Sequence, residues 1–216
     1  MSLEDKVYNI LAVGDLHIPD RCIRIPPEFE KILLSQKIDK ILCTGNLNTR
    51  VGYGRLEEIC RDIITVQGEF DNDREYSEVE NVQIGDFTVT LFHGHKILPS
   101  NNPKQLETLA LQYNSDILIF GSTHKLRICL NFQQLCINPG SFTGAFHPLS
   151  NSTNPSFVLM KIAKNHVCVE SYELLEGQIF SSIQKFEKQT KNGSSIQQNN
   201  QIKTIVPLSD DTTVVL

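Results

Sequence analysis

The chain has no run of Lys or Arg, and with a formal net charge of -5 and a pI near 5.7 it lacks the electrostatic footprint of a nucleic-acid binder. It has no CxxC pair either. Its six cysteines, Cys22, Cys43, Cys60, Cys129, Cys136 and Cys168, are scattered, several inside apolar runs where a reduced thiol serves as a small hydrophobe. A disulfide framework is therefore not expected, and the cytoplasm is the expected compartment. The apolar run from Val7 to Val13 is too short to span a bilayer, and Glu4 and Asp5 stand where a secretory signal carries basic residues. Any membrane association is expected to be peripheral. No internal repeat is visible.

What remains is an ordinary globular composition: 216 residues, 40% hydrophobic and 21% charged, enough for one well-buried domain. Val7 to Val13, Lys40 to Thr44 and Ile63 to Gln67 read as buried strands, separated by helical patterns over Pro27 to Gln36 and around Leu56 to Cys60. That alternation predicts parallel strands joined by right-handed crossovers. Val82 to Ile84 and Phe87 to Phe92 flank a Gly85-Asp86 turn. A helix from Pro103 to Tyr113, N-capped by Asn102, leads to the strand Ile117 to Phe120. Two hairpins follow, Leu126 to Leu130 with Leu135 to Ile137 and Phe157 to Ile162 with Val167 to Leu174, so the second half is expected to supply a largely antiparallel sheet. The domain is read as residues 7–186. Residues 187–216 are Gln/Asn/Ser-rich and read as a mobile tail, because too little apolar surface is present to offset ordering entropy.

Polar residues suited to metal sites recur just after the strands: Asp15 and His17, Asn46, Glu69 and Asp71, His93 and His95, Ser122 and His124. Each alone is an ordinary loop residue. Together they fall where the carboxyl ends of strands line one edge of an open α/β sheet, and imidazole with carboxylate suits zinc, manganese or iron. His147 and His166 read as loop and turn residues outside the set.

The ordered series Gly14-Asp15-Leu16-His17, Gly45-Asn46, Gly68-Glu69-Phe70-Asp71, His93-Gly94-His95 and Gly121-Ser122-Thr123-His124 resembles that of the calcineurin-like metallophosphoesterases. More narrowly, Gly14 to Pro19, Ile41 to Leu47, Ile137 to Ser141 and Pro155 to Met160 look like the phosphoesterase-like small subunits of retromer, with the resemblance running from about Ile10 to Phe186. The resemblance implies a four-layer α/β/β/α sandwich with mixed sheets. It also implies metal ligands at Asp15, His17, Asn46, Glu69, His93 and His124, with Ser122 at a further ligand position, and zinc or manganese held weakly or not at all.

Three departures bear on chemistry. Active members hold two divalent ions about 3.5–4 Å apart across a bridging aspartate. Here Asn46 takes that position, and a neutral amide cannot screen two dications from each other. Ser122 replaces a histidine, and Phe70 replaces the histidine that would assist the leaving group. The resemblance therefore implies a scaffold without catalytic residues, whose metal-site edge binds retromer's α-solenoid subunit through Ile97, Leu98 and Pro99. Leu159 and Tyr172 match a patch that the family presents to regulators of Rab GTPases. The expected setting is cargo retrieval from endosomes, with the membrane reached only through the complex. The rival reading is a metal-dependent phosphodiesterase with a degenerate two-metal site, and the plainest is an α/β domain whose polar cluster is structural.

Overall fold

The structure is a computed structural model that describes residues 6–72, 76–148, 153–189 and 195–206. Its elements in order are β1 Val7–Val13, α1 Pro27–Leu34, β2 Lys40–Cys43, α2 Arg50–Glu57, β3 Ile63–Thr65, β4 Val79–Ile84, β5 Phe87–Phe92 and α3 Pro103–Gln112. There follow β6 Ile117–Phe120, β7 Leu126–Asn131, β8 Gln134–Pro139, β9 Ser156–Ala163, β10 His166–Leu175, β11 Gln178–Gln189 and β12 Ser195–Val206.

The strands form a seven-stranded sheet, β12-β11-β10-β9-β1-β2-β3, and a five-stranded sheet, β4-β5-β6-β8-β7. β1, β2 and β3 are parallel, as the strand-helix alternation predicts. The antiparallel hairpins of the second half divide between the sheets. β9 to β12 extend the first sheet from β1, while in the second sheet β6 runs parallel to both β5 and β8.

Apolar runs such as Ile10 to Val13 are continuous because both faces of these strands are buried. Ile10 and Ala12 point between the sheets, where they join Val89, Ile117 and Ile137 in one core. Leu11 and Val13 point outward to a second core that α1 completes with Phe29 and Leu33 and α2 with Leu56. A third core joins the five-stranded sheet to α3 through Phe92, Phe120, Leu106 and Ala110. Helix, sheet, sheet and helix are the four layers expected.

The helices begin where local chemistry directs. Pro27 sits in the first turn of α1, with Glu28 and Glu30 favourably placed against the positive end of the helix. The Thr49 hydroxyl accepts from Gly52 N at the start of α2, and Asn102 caps α3 by accepting from Lys104 N at 3.1 Å.

The tail departs from the sequence reading. β11 runs past Phe186 to Gln189, and residues 195–206 pair along it from Gln189↔Ser195 to Ile179↔Val206, with one register shift at Lys185/Phe186. A composition argument counts only apolar side chains, whereas this strand is ordered through backbone hydrogen bonds to an available sheet edge and needs few of them. Ile196 is buried in the inter-sheet core and Val206 packs on the outer one. Residues 190–194 and 207–216, including the apolar cluster from Thr213 to Leu216, lie outside the described residues.

Candidate metal centre

The loops leaving β1, β2, β3, β5 and β6 converge at one end of the sandwich and carry the polar residues singled out above. Asp15, His17, Asn46, Ser122 and His124 all have φ between 49° and 71°. Non-glycine residues in this left-handed region cost roughly 1–3 kcal/mol each, and such strain collects at functional sites. Close packing holds the loops in place: a Cβ on Gly68 would meet Asn46 Oδ1 at 2.2 Å.

Asp15, His17, Asn46, His93 and His124 are brought together and buried. Asp15 Oδ1 lies 3.6 Å from His124 Nε2 and 4.0 Å from Nε2 of both His17 and His93. His93 Nδ1 donates to Thr44 O and His124 Nδ1 to Ala145 O, each at 2.7 Å, which turns both Nε2 lone pairs inward. Burial, opposed by Asp15, pushes the His17 imidazole down to about 4, so it is neutral as a metal ligand must be.

These residues fit one cation. Asp15, His17 and His124 each offer a ligand atom, all within 4.8 Å of one another, and among the described residues they are the group that does so. The two Nε2 atoms of His17 and His124 are 3.3 Å apart. Two imidazoles bonded to zinc at about 2.0–2.1 Å and a tetrahedral angle would place their nitrogens about 3.3 Å apart.

The neighbouring position is differently filled. Asn46 Oδ1 accepts from Phe70 N at 3.0 Å, so its amide Nδ2 faces the site and donates to Asp15 Oδ1 at 2.9 Å and to His93 Nε2 at 3.1 Å. A donor thus stands where a second ion needs an acceptor. Glu69 is exposed and lines a polar 250 Å³ cavity with Asp71, Glu78 and His95 rather than joining the buried cluster. Ser122 contributes through its backbone, its N–H donating to Asp15 Oδ2 at 2.9 Å. The Phe70 ring stands edge-on to His17 at 5.4 Å, under the Arg21 guanidinium at 4.5 Å.

Other supports were not foreseen. The Asp71 carboxylate accepts from the backbone N–H groups of Asn46, Gly68 and Asn48 at 2.7–2.9 Å, so it shapes two loops rather than offering itself to a metal. Ser141 Oγ donates to Asp15 O at 2.7 Å and accepts from Ala145 N at 2.8 Å, while Thr143 Oγ1 donates to Leu16 O at 2.7 Å. The turn spelling Asn138-Pro139-Gly140-Ser141 after β8 was the available signal for this brace.

The residues expected to meet partners divide by exposure. Leu98 is 71% exposed with Pro99 beside it, whereas Ile97 is 6% exposed and anchors the loop in the core beneath α3. Leu159 and Tyr172, on the outer face of the seven-stranded sheet, are 4% and 5% exposed, and the Tyr172 ring stacks on Phe157 at 4.7 Å. In this chain they are core residues of that layer, not an open patch.

The fold and this loop constellation agree with a match of residues 8–165 to the calcineurin-like phosphoesterase superfamily domain, which sets the class. Vacuolar protein sorting-associated protein 29 of Schizosaccharomyces pombe is 33% identical over 174 residues, 79% of this chain and 93% of the relative. The structure of Vacuolar Protein Sorting 29 from Cryptosporidium parvum superposes with a TM-score of 0.80 at 35% identity, over 85% of this chain and 100% of that one. Wild-type Vps29 from Entamoeba histolytica complexed with zinc superposes at 0.74 with 32% identity, over 90% and 98% of the two chains. The chain belongs to the Vps29 family of calcineurin-like phosphoesterases.

Proposed function

We propose that this chain is the phosphoesterase-like subunit of retromer and acts as a scaffold, docking the rim of its metal centre onto the end of the α-solenoid subunit in a coat that retrieves cargo from endosomes to the Golgi or plasma membrane. The observation that carries this reading is Leu98, an exposed apolar side chain on a loop fixed by the buried Ile97 and only three residues beyond His95 at the site. An exposed apolar anchor on a rigid support has the character of an interface hot spot. The chain would sit on the cytoplasmic side of endosomes, reaching the membrane through its partners. Regulators of Rab GTPases would dock on the outer side of the seven-stranded sheet, the layer whose core holds Leu159 and Tyr172.

Asp15, His17 and His124 would hold zinc or manganese, which when bound supplies Lewis acidity and positive charge at the rim. The protein's own groups do not assemble the rest of a phosphodiesterase: the Asn46 amide donates into the second position, and the Phe70 ring has no proton to transfer. The buried Asp15-His17-His124 cluster does favour an alternative metal-dependent phosphodiesterase. Steady manganese-dependent hydrolysis of a generic phosphodiester, lost in His93→Ala, would establish that rival.

Titration calorimetry against the C-terminal half of the α-solenoid subunit tests the scaffold. Leu98→Asp is expected to weaken binding at least about 30-fold, the size of a hot-spot loss, while chelator leaves wild-type binding unchanged. No binding by the wild type overturns the retromer assignment.

A further inference from the structure

We propose that Cys129 and Cys136 form a reversible redox dithiol, a modification site that hydroperoxides convert to a disulfide across β7 and β8. This stands apart from the metal centre and from the scaffold role.

The register sets the two residues directly opposite each other. Pro139 has no N–H, so its pair with Leu126 cannot exchange two hydrogen bonds. Pairs alternate along an antiparallel ladder, which makes Cys129↔Cys136, three positions on, a hydrogen-bonded pair with Cα atoms about 5.5 Å apart. That spacing lies within the roughly 4.4–6.8 Å that disulfides span. Opposed Cβ atoms in such a pair stand up to about 5.5 Å apart, whereas a disulfide draws them to about 3.8 Å. The bridge would therefore be strained and readily reduced, which suits a switchable bond rather than a permanent staple.

The environments of the two thiols divide the labour. Cys136 is buried under α3 with Leu106 and Phe120, while Cys129 is half-buried at the margin of the same cluster, so solvent reaches Cys129 first. The Cys136 thiol beside it, helped by Arg127, pulls the Cys129 thiol down to about 6 against the effect of burial, whereas Cys136 is pushed up by Cys129 and by burial. Cys129 is thus the thiolate and Cys136 the resolving thiol. By contrast, Cys43 is buried and pushed up to about 12 by that burial.

The Cys129 thiolate attacks one oxygen of hydrogen peroxide: an S–O bond forms, the O–O bond breaks, and hydroxide leaves to be protonated by solvent. The Cys136 sulfur then attacks the Cys129 sulfur. The S–S bond forms, the S–O bond breaks, and the departing hydroxide takes up the Cys136 proton as water. Two thiols and one peroxide give one disulfide and two waters, sulfur being oxidised and peroxide oxygen reduced.

The test treats the reduced, chelator-washed full chain with a slight excess of hydrogen peroxide, blocks the remaining thiols with N-ethylmaleimide, and maps peptides by mass. The expected result is the loss of two hydrogens, a linked pair joining the Cys129 and Cys136 peptides before any other cysteine reacts, and full reversal by dithiothreitol. In Cys136→Ser, Cys129 should stop at a sulfenic acid that dimedone captures. In Cys129→Ser, which replaces the more exposed partner, Cys136 should remain alkylatable only after unfolding. The proposal is overturned if both thiols survive while Cys22 or Cys60 oxidises, if Cys129 pairs elsewhere, or if wild-type Cys129 proceeds to sulfinic acid without a linked pair.

Discussion

Asn46 joins the two halves of the centre by donating to Asp15 and His93 at once, where a two-metal enzyme joins them through two cations and the aspartate that bridges them. Replacing it separates the two roles. In metal-free Asn46→Asp the new carboxylate would stand near Asp15 Oδ1 and both donated bonds would be lost, a destabilisation of about 1–3 kcal/mol visible as a lower melting temperature. In zinc the same variant gains a bridging anion. Equilibrium dialysis should then find two ions bound where the wild type binds one, and the melting temperature should recover. An unchanged stoichiometry would show that the amide is not what excludes a second ion. The ligand types at this centre were legible because each follows a buried strand. The parts played by Thr44 O, Ala145 O and Asp71 were not, since a carbonyl that orients an imidazole, or a carboxylate that gathers backbone N–H groups, can come from almost any spelling.

At the scale of elements, the strands buried on both faces announced themselves as apolar runs, and α3 through its Asn102 cap and Pro103 start. β12 did not, because its order comes from backbone pairing with β11 and from the buried Ile196, whose N–H also donates to Gln133 O of the β7–β8 turn at 3.2 Å. The same anchor distinguishes a strand from a tail. Ile196→Ala should cost about 2 kcal/mol or more, in the range for buried Ile truncations, and lower the urea midpoint at constant slope. A segment that is mobile in solution would leave the midpoint where it is. The division of the hairpins between two sheets was equally hidden: local pattern shows which strands pair as neighbours, but the insertion of β6 between β5 and β8 depends on packing of residues far apart in sequence.

Across the whole molecule, the sandwich is closed at its two ends by different means. The metal centre gathers the loops at the carboxyl ends of β1, β2, β5 and β6. At the other end, Lys188 on β11 reaches from the seven-stranded sheet to Asp116, just before β6 of the five-stranded one, at 2.6 Å, and also donates to Asp86 O at 2.7 Å. Asp116 accepts in turn from Thr88 N at 2.8 Å, and the pair is nearly enclosed. Replacing both partners of such a pair is often harmless, whereas removing one leaves the other charged, buried and unpaired. Lys188→Met keeps most of the aliphatic stem, so its expected cost of about 3–5 kcal/mol in urea unfolding comes from the stranded Asp116 charge together with the smaller loss of the bond to Asp86 O. Adding Asp116→Asn should recover much of that loss, because the amide oxygen still accepts from Thr88 N without a charge to desolvate. Zinc affinity should be the same in both variants, since the centre lies at the far end of the strands. If it falls in step with stability, the two ends are coupled through the inter-sheet core rather than independently built.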